Sequence, residues 1–272
     1  MNDPLSLAVL LVMGTLAGMI NAAVGSGSLL TLPVLLALGV PPGTAVRTNT
    51  IGILFSTIGA VYGYRREIRA EGRALTGLVV VTALCAAAGS VLLLASPAAA
   101  LEAVVPVLIV VALVLVVGQP RLTRWLAARR ARREAAGRGA DADASRRAGP
   151  YTRAALIAPL GAAAVYGGYF TAAQGILYMG ILAVGTGRSL ARINPVKNLL
   201  ALVVNATAAL VYLIAHLVLG APIVWIGTAA IAVGALVGGY LGSHVARKLP
   251  DGVLRGTIVV VAVGALARQL LG

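Results

Sequence analysis

Carboxylates are scarce in this chain: eight Asp and Glu against 22 Lys and Arg, a formal charge of +14 over 272 residues. None of the eight lies in the middle of an apolar run, and Glu102 only touches the edge of one. No carboxylate proton relay and no pair of acids for general acid–base chemistry can be assembled from such a set. Cysteine occurs once, as Cys85 within an apolar run, which excludes a disulfide framework and a redox pair. The two histidines, His216 and His244, sit near the ends of apolar runs, without an HExxH spacing or a Ser/His/Asp set. The sequence therefore supports no catalytic residue, no metal site and no cofactor.

What is present is apolar. Hydrophobic residues make up 60% of the chain, charged residues 11%, and the mean hydropathy is +0.96. A soluble domain of this length needs far more polar cover, whereas a bilayer core about 30 Å thick needs roughly 20 apolar residues per helix. Apolar segments run approximately over residues 5–23, 44–62, 74–94, 104–117, 154–170, 195–219, 223–241 and 253–271. They predict an all-α polytopic membrane protein with about eight full spans. Two shorter pieces, 28–38 and 176–184, follow glycine-containing breaks. At about 10 residues each they are too short to cross unaided, and read as half-helices or re-entrant segments lined by protein or a water-filled cavity. The opening Met1-Asn2-Asp3-Pro4 lacks the basic stretch of a signal peptide, so residues 5–23 are expected to remain as the first span.

Ten of the 22 basic residues fall between Arg121 and Arg153. That stretch has no aromatic run and no zinc spacing, and the positive-inside rule accounts for it without nucleic acid. The expected division is a first transmembrane repeat (1–118), a basic cytoplasmic loop (119–150) and a second transmembrane repeat (151–272). Val46-Arg47-Thr48 matches Val196-Lys197-Asn198 at an offset of 150, as Tyr62 matches Tyr212. Ser26-Gly27 and Gln174-Gly175 pair at a slightly smaller offset. Paired interrupted segments in two halves point to a transporter's binding site. Loop charges favour inverted over parallel repeats, by the two residues Arg247 and Lys248.

Two cations stand out. Asn194-Pro195 reads as N-cap and N1 with Lys197 at N3, and Thr44 can cap the partner helix with Arg47 at N3. A helix N-terminus carries free N–H groups and partial positive charge, so dipole and cation together would make an anion site. Thr48, Asn49, Asn198, Asn194, Asn205 and Asn21 supply polar neighbours, and the breaks at Gly25, Ser26 and Gly27 and at Gln174 and Gly175 could cradle the ligand with backbone N–H groups. The alternative for Arg47 and Lys197 is snorkelling to head groups; for the glycines it is helix packing. Gly234, Gly238 and Gly242 form a small-xxx-small ladder expected to serve packing only.

Gly18-Met19-Ile20-Asn21 through the Gly25–Gly27 break, Pro33, Gly39, Thr48-Asn49-Thr50 and Gly63-Tyr64-Arg65-Arg66-Glu67 resemble the first half of the sulfite exporter TauE/SafE family, also called the toluene-sulfonate uptake permease family. Asn194-Pro195-Val196-Lys197-Asn198 with Asn205, then Gly238-Gly239-Tyr240-Leu241-Gly242 and Leu254-Arg255, resemble its second half. The resemblance implies a multi-pass protein of the bacterial inner (cell) membrane that transports sulfite, an organosulfonate or a related organic anion. Its breaks are poorer in glycine than those of many relatives. An inside-negative potential drives anions outward, so export is the expected direction. The different-class alternative is a membrane scaffold or assembly subunit without flux. The expected partners are a small anion and the lipid bilayer, not nucleic acid, and monomer and homo-oligomer both stay open.

Overall fold

The structure is a computed structural model that describes residues 4–135, 151 and 154–245, with positions 256, 259–261 and 264 beyond them. The expected segment at 253–271 therefore lies largely outside the described residues, as do Arg247, Lys248 and positions 136–150 of the basic loop. The chain forms α1 (Pro4–Ala23), α2 (Ser28–Ala37), α3 (Pro42–Gly63), α4 (Arg65–Glu71), a 3-10 turn (Gly72–Leu75), α5 (Thr76–Ala95), α6 (Ala98–Ala135), α7 (Ala154–Phe170), α8 (Gln174–Thr186), α9 (Leu190–Leu219) and α10 (Trp225–Val245). Among the described residues there is no strand.

Among the described residues, five stretches are long and apolar enough to cross a membrane: Pro4–Ala23, Arg65–Ala95, Ala98–Arg129, Leu190–Leu219 and Trp225–His244. α3, with 22 residues, has the length but buries a polar series from Arg47 to Thr57 instead of a continuous apolar surface. α2 and α8, of 10 and 13 residues, are the short pieces expected after the breaks. Two boundaries differ from expectation. α6 does not stop at residue 118 but continues through Pro120 to Ala135, so the basic stretch begins as helix; Ala, Leu and Arg there are strong helix formers. α9 starts at Leu190 behind Ser189, which leaves Pro195 inside the helix at the loss of one backbone bond.

Close glycine contacts fix the helix directions. α10 runs parallel to α1: a Cβ on Gly238 would fall 2.0 Å from the Thr15 carbonyl oxygen, and one on Gly242 2.7 Å from Met19 Cα. Its other side runs parallel to α3, where a Cβ on Gly239 would meet the Ser56 carbonyl at 2.1 Å. The glycine ladder is thus a backbone-to-backbone seam, as expected of small residues in membrane helices. α5 packs in the same way along α7, with Gly89 against Val165 and Gly168 against Ala86. α3 and α9 are antiparallel. Asn194 near the start of α9 donates to the Tyr64 hydroxyl after the end of α3 (3.0 Å), while Arg47 near the start of α3 donates to the Pro222 carbonyl beyond the end of α9 (3.1 Å). Thus α10 packs against α1 and α3, and α5 packs against α7 and α9.

Arg188, in the α8–α9 loop, pairs with Glu71 of α4 and donates to the Tyr151 hydroxyl (2.8 Å), which puts the basic segments 65–73 and 188–192 at one end of the bundle. The Glu71 carboxylate holds the Arg188 guanidinium above its ordinary value, and burial pushes the Tyr151 phenol up to about 12. α10 is marked by an aromatic–histidine pair at each end, Trp225 with His216 (5.4 Å) and Tyr240 with His244 (4.7 Å). From Trp225 to His244 is roughly 28 Å of helix, which matches the hydrocarbon thickness that aromatic belts bracket.

Candidate functional site

Both chain breaks lie inside the protein and touch each other. After α1 the chain turns through Val24–Gly27, with Gly25 at φ +86°, a value that costs an L-residue about 1–2 kcal/mol. After α7 it turns through Thr171–Ala173, and here the positive φ angles belong to Thr171 (+68°) and Ala173 (+60°). Non-glycine residues in this region store roughly 1–3 kcal/mol each and persist only where surroundings over-determine them. The restraints are visible. The Ala172 N–H donates to the Phe170 carbonyl (2.8 Å), Tyr166 donates to the Ala172 carbonyl (2.9 Å), and the Thr171 and Thr50 hydroxyls bond at 2.9 Å. The breaks cross where the Gly175 N–H donates to the Gly25 carbonyl at 3.2 Å. A Cβ on either glycine would lie 2.5 Å from the other's Cα.

α2 and α8 both begin at this crossing, behind Gly27 and Ala173, and neither start has a side-chain cap. Two helix N-termini with their partial positive charge are therefore directed at the middle of the protein. Polar side chains surround them. Thr31 donates to the Asn49 amide oxygen and leaves Asn49 Nδ2 without a partner. Gln174 donates to Asn205 Oδ1 (3.2 Å) and leaves Asn205 Nδ2 without one, and Ser26 Oγ is likewise unpartnered. All of these side chains are at least nine-tenths buried. The Gln174 Oε1 acceptor is unpartnered as well. Buried polar groups are normally satisfied, so the free Asn49 and Asn205 amides and the Ser26 hydroxyl beside two helix N-termini describe a polar place with donors to offer an acceptor-rich ligand.

The cations take other partners. Lys197 is 0% exposed and donates to the carbonyls of Asn21 and Ala22, both at 3.2 Å. Asn198 and Asn194 donate to the same Ala22 carbonyl at 3.1 and 3.4 Å. These carbonyls end α1, where no following turn donates to them, so one face of α9 caps the end of that cut helix. Snorkelling is excluded for Lys197 by this burial. Arg47 donates to Pro222 and, at 3.2 Å, to Thr44; Thr48 accepts from the Val224 N–H at 3.0 Å. Asn21 donates to Ser56 (2.7 Å).

The expected N3 positions are corrected: Arg47 is the sixth residue of α3 and Lys197 the eighth of α9, both beyond the free N–H groups of a first turn. One shared seat for the two cations is also corrected, since Lys197 and Pro222 are separated by roughly 30 Å of α9. The expected dipole arrangement exists, but at α2 and α8. The second break, expected over Thr171–Gly175, turns through Thr171–Ala173, and its last two residues, Gln174 and Gly175, already belong to α8.

The comparisons agree with this architecture. Residues 10–268 match the family described as Sulfite exporter TauE/SafE. The chain is 28% identical over 273 residues to the probable membrane transporter protein YfcA of Escherichia coli strain K12, covering 99% of this chain and 91% of that protein. It is 30% identical over 104 residues to the probable membrane transporter protein ORF9 of Sinorhizobium sp, 38% of this chain and 40% of that protein. A probable membrane transporter protein of Haemophilus influenzae is 30% identical over 103 residues, with the same coverage. No solved structure matches. A bundle of membrane-length helices built around two broken ones, matched over almost its whole length, belongs to the sulfite exporter TauE/SafE family of membrane transporters.

Proposed function

We propose that this transporter carries a small anion, namely sulfite, an organosulfonate or a related organic anion, through the crossing of the two breaks, and that it exports it. The observation that carries the proposal is the meeting of the α2 and α8 N-termini beside the unpartnered donors of Ser26, Asn49 and Asn205. Helix starts facing each other in mid-protein are a transporter's means of holding negative charge where no water can. Arg47 and Lys197 contribute positive potential from opposite ends of the path, each bound to backbone carbonyls and acting on the anion over distance. Flux in proteoliposomes against a panel of sulfonates and sulfite tests this. Expected are saturable flux and anion-dependent thermal stabilisation; a folded protein with neither would be a scaffold.

The two halves are proposed to be inverted repeats. The antiparallel pair α3 and α9 and the exchanged packing of α5 and α10 support that arrangement. Cysteines introduced at exposed Ala70 and Leu219, each in a Cys85→Ser background, should label oppositely in intact cells. Leu219 should react with an impermeant thiol reagent from outside and Ala70 only after lysis. Labelling of both from one side would sink the inversion.

A further inference from the structure

A second site lies on the lipid-facing side of the bundle, between α3 and α10, away from the crossing. Ile58, Gly59, Tyr62, Leu236, Val237 and Tyr240 line an apolar groove of about 450 Å³. That size is within the range of small-ligand sites. Gly59 lets the two helices approach at its floor, where a Cβ would meet the Leu236 carbonyl at 2.6 Å, and the walls face outward, with Val237 half exposed. Across one mouth runs a continuous stack: the Arg65 guanidinium over the Tyr62 ring (4.4 Å), Tyr62 against Tyr240 (6.0 Å), and Tyr240 against His244 (4.7 Å).

Arg65 spends one N–H on the Tyr62 carbonyl (2.8 Å), and a guanidinium has five. Arg66, Arg69 and Arg73 stand exposed on the same short segment. Of the two acids there, Glu71 is already paired with Arg188. The mouth is therefore strongly positive and the groove beneath it apolar. The complementary molecule has a negative head and a hydrocarbon tail.

We propose that this groove is a binding site for an anionic phospholipid, with an acyl chain between α3 and α10 and the phosphate at Arg65 and its neighbours. Clusters of basic residues at a membrane interface attract anionic lipids. A second copy of the chain is the less fitting occupant, because a two-fold contact here would bring two sets of arginines together.

The test is lipid binding to the purified full chain in detergent, titrated with phosphatidylglycerol or phosphatidylcholine of matched acyl chains and followed by native mass spectrometry. The parent should bind phosphatidylglycerol at least tenfold more tightly. Arg65→Gln should reduce that preference at least threefold, and Val237→Trp, which fills the groove from an exposed position, should weaken both lipids. Arg121→Gln, an exposed arginine on α6, should change neither. Equal binding of the two lipids by the parent, an unchanged preference in Arg65→Gln, or inorganic phosphate competing as well as phosphatidylglycerol would each overturn the proposal.

Discussion

Gly25→Ala will remove most folded protein at temperatures where the parent is stable, and two neighbouring substitutions will show why. An alanine Cβ at Gly25 would sit 2.5 Å from Gly175 Cα, backbone against backbone, at φ +86°. Gly39 has nearly the same angle, φ +80°, with nothing within 4 Å of its Cβ direction. Gly175 has the clash without the positive φ. Gly39→Ala should therefore cost only the conformational term, about 1–2 kcal/mol, and Gly175→Ala an overpacking term of about 1–3 kcal/mol. Gly25→Ala should lose both together. Thermal unfolding in detergent should rank the three Gly39, Gly175, Gly25 in increasing damage. A Gly25 variant no worse than the Gly39 variant would mean that the breaks do not cross in contact.

At Lys197, stability and transport should separate. Lys197→Met keeps the side-chain volume but removes the donor to Asn21 and Ala22. A buried carbonyl left without a donor costs about 1–3 kcal/mol. Against this, the ammonium pairs with no carboxylate among the described residues, and burying a lone charge is itself costly by several kcal/mol. The two terms oppose, so the melting temperature should move little while anion flux falls at least tenfold with the loss of positive potential at that end. Lys197→Glu should not fold, since a carboxylate would face two carbonyl oxygens at the negative end of a helix. If Lys197→Met melts far below the parent, its role is to cap α1; if its flux is unchanged, the path does not depend on its charge.

The helical class, the short pieces and the polar residues around them were legible in the sequence because hydropathy and the cost of buried polar groups are composition effects. Register within helices was not. Asn194-Pro195 is a good helix start by local preference, yet tertiary packing extends α9 one and a half turns earlier to seat Lys197 against α1. The second break was legible as Thr171–Gly175, but not its backbone angles: Thr171 and Ala173 adopt positive φ under constraint from Tyr166 and Thr50, and no local rule anticipates restraint from elsewhere in the fold. Asn49 and Asn205 were found as polar residues, but which of their atoms remain free depends on Thr31 and Gln174.

The unequal chemistry of the two elbows has a mechanical consequence. Glycine at position 25 permits many backbone angles at little cost, while Thr171 and Ala173 are locked in a tensed conformation by three hydrogen bonds. The two elbows then differ in how many bonds hold them. Re-aiming the first elbow involves one glycine and the Gly175 bond that it accepts, whereas re-aiming the second requires the Phe170, Tyr166 and Thr50 bonds to be given up together.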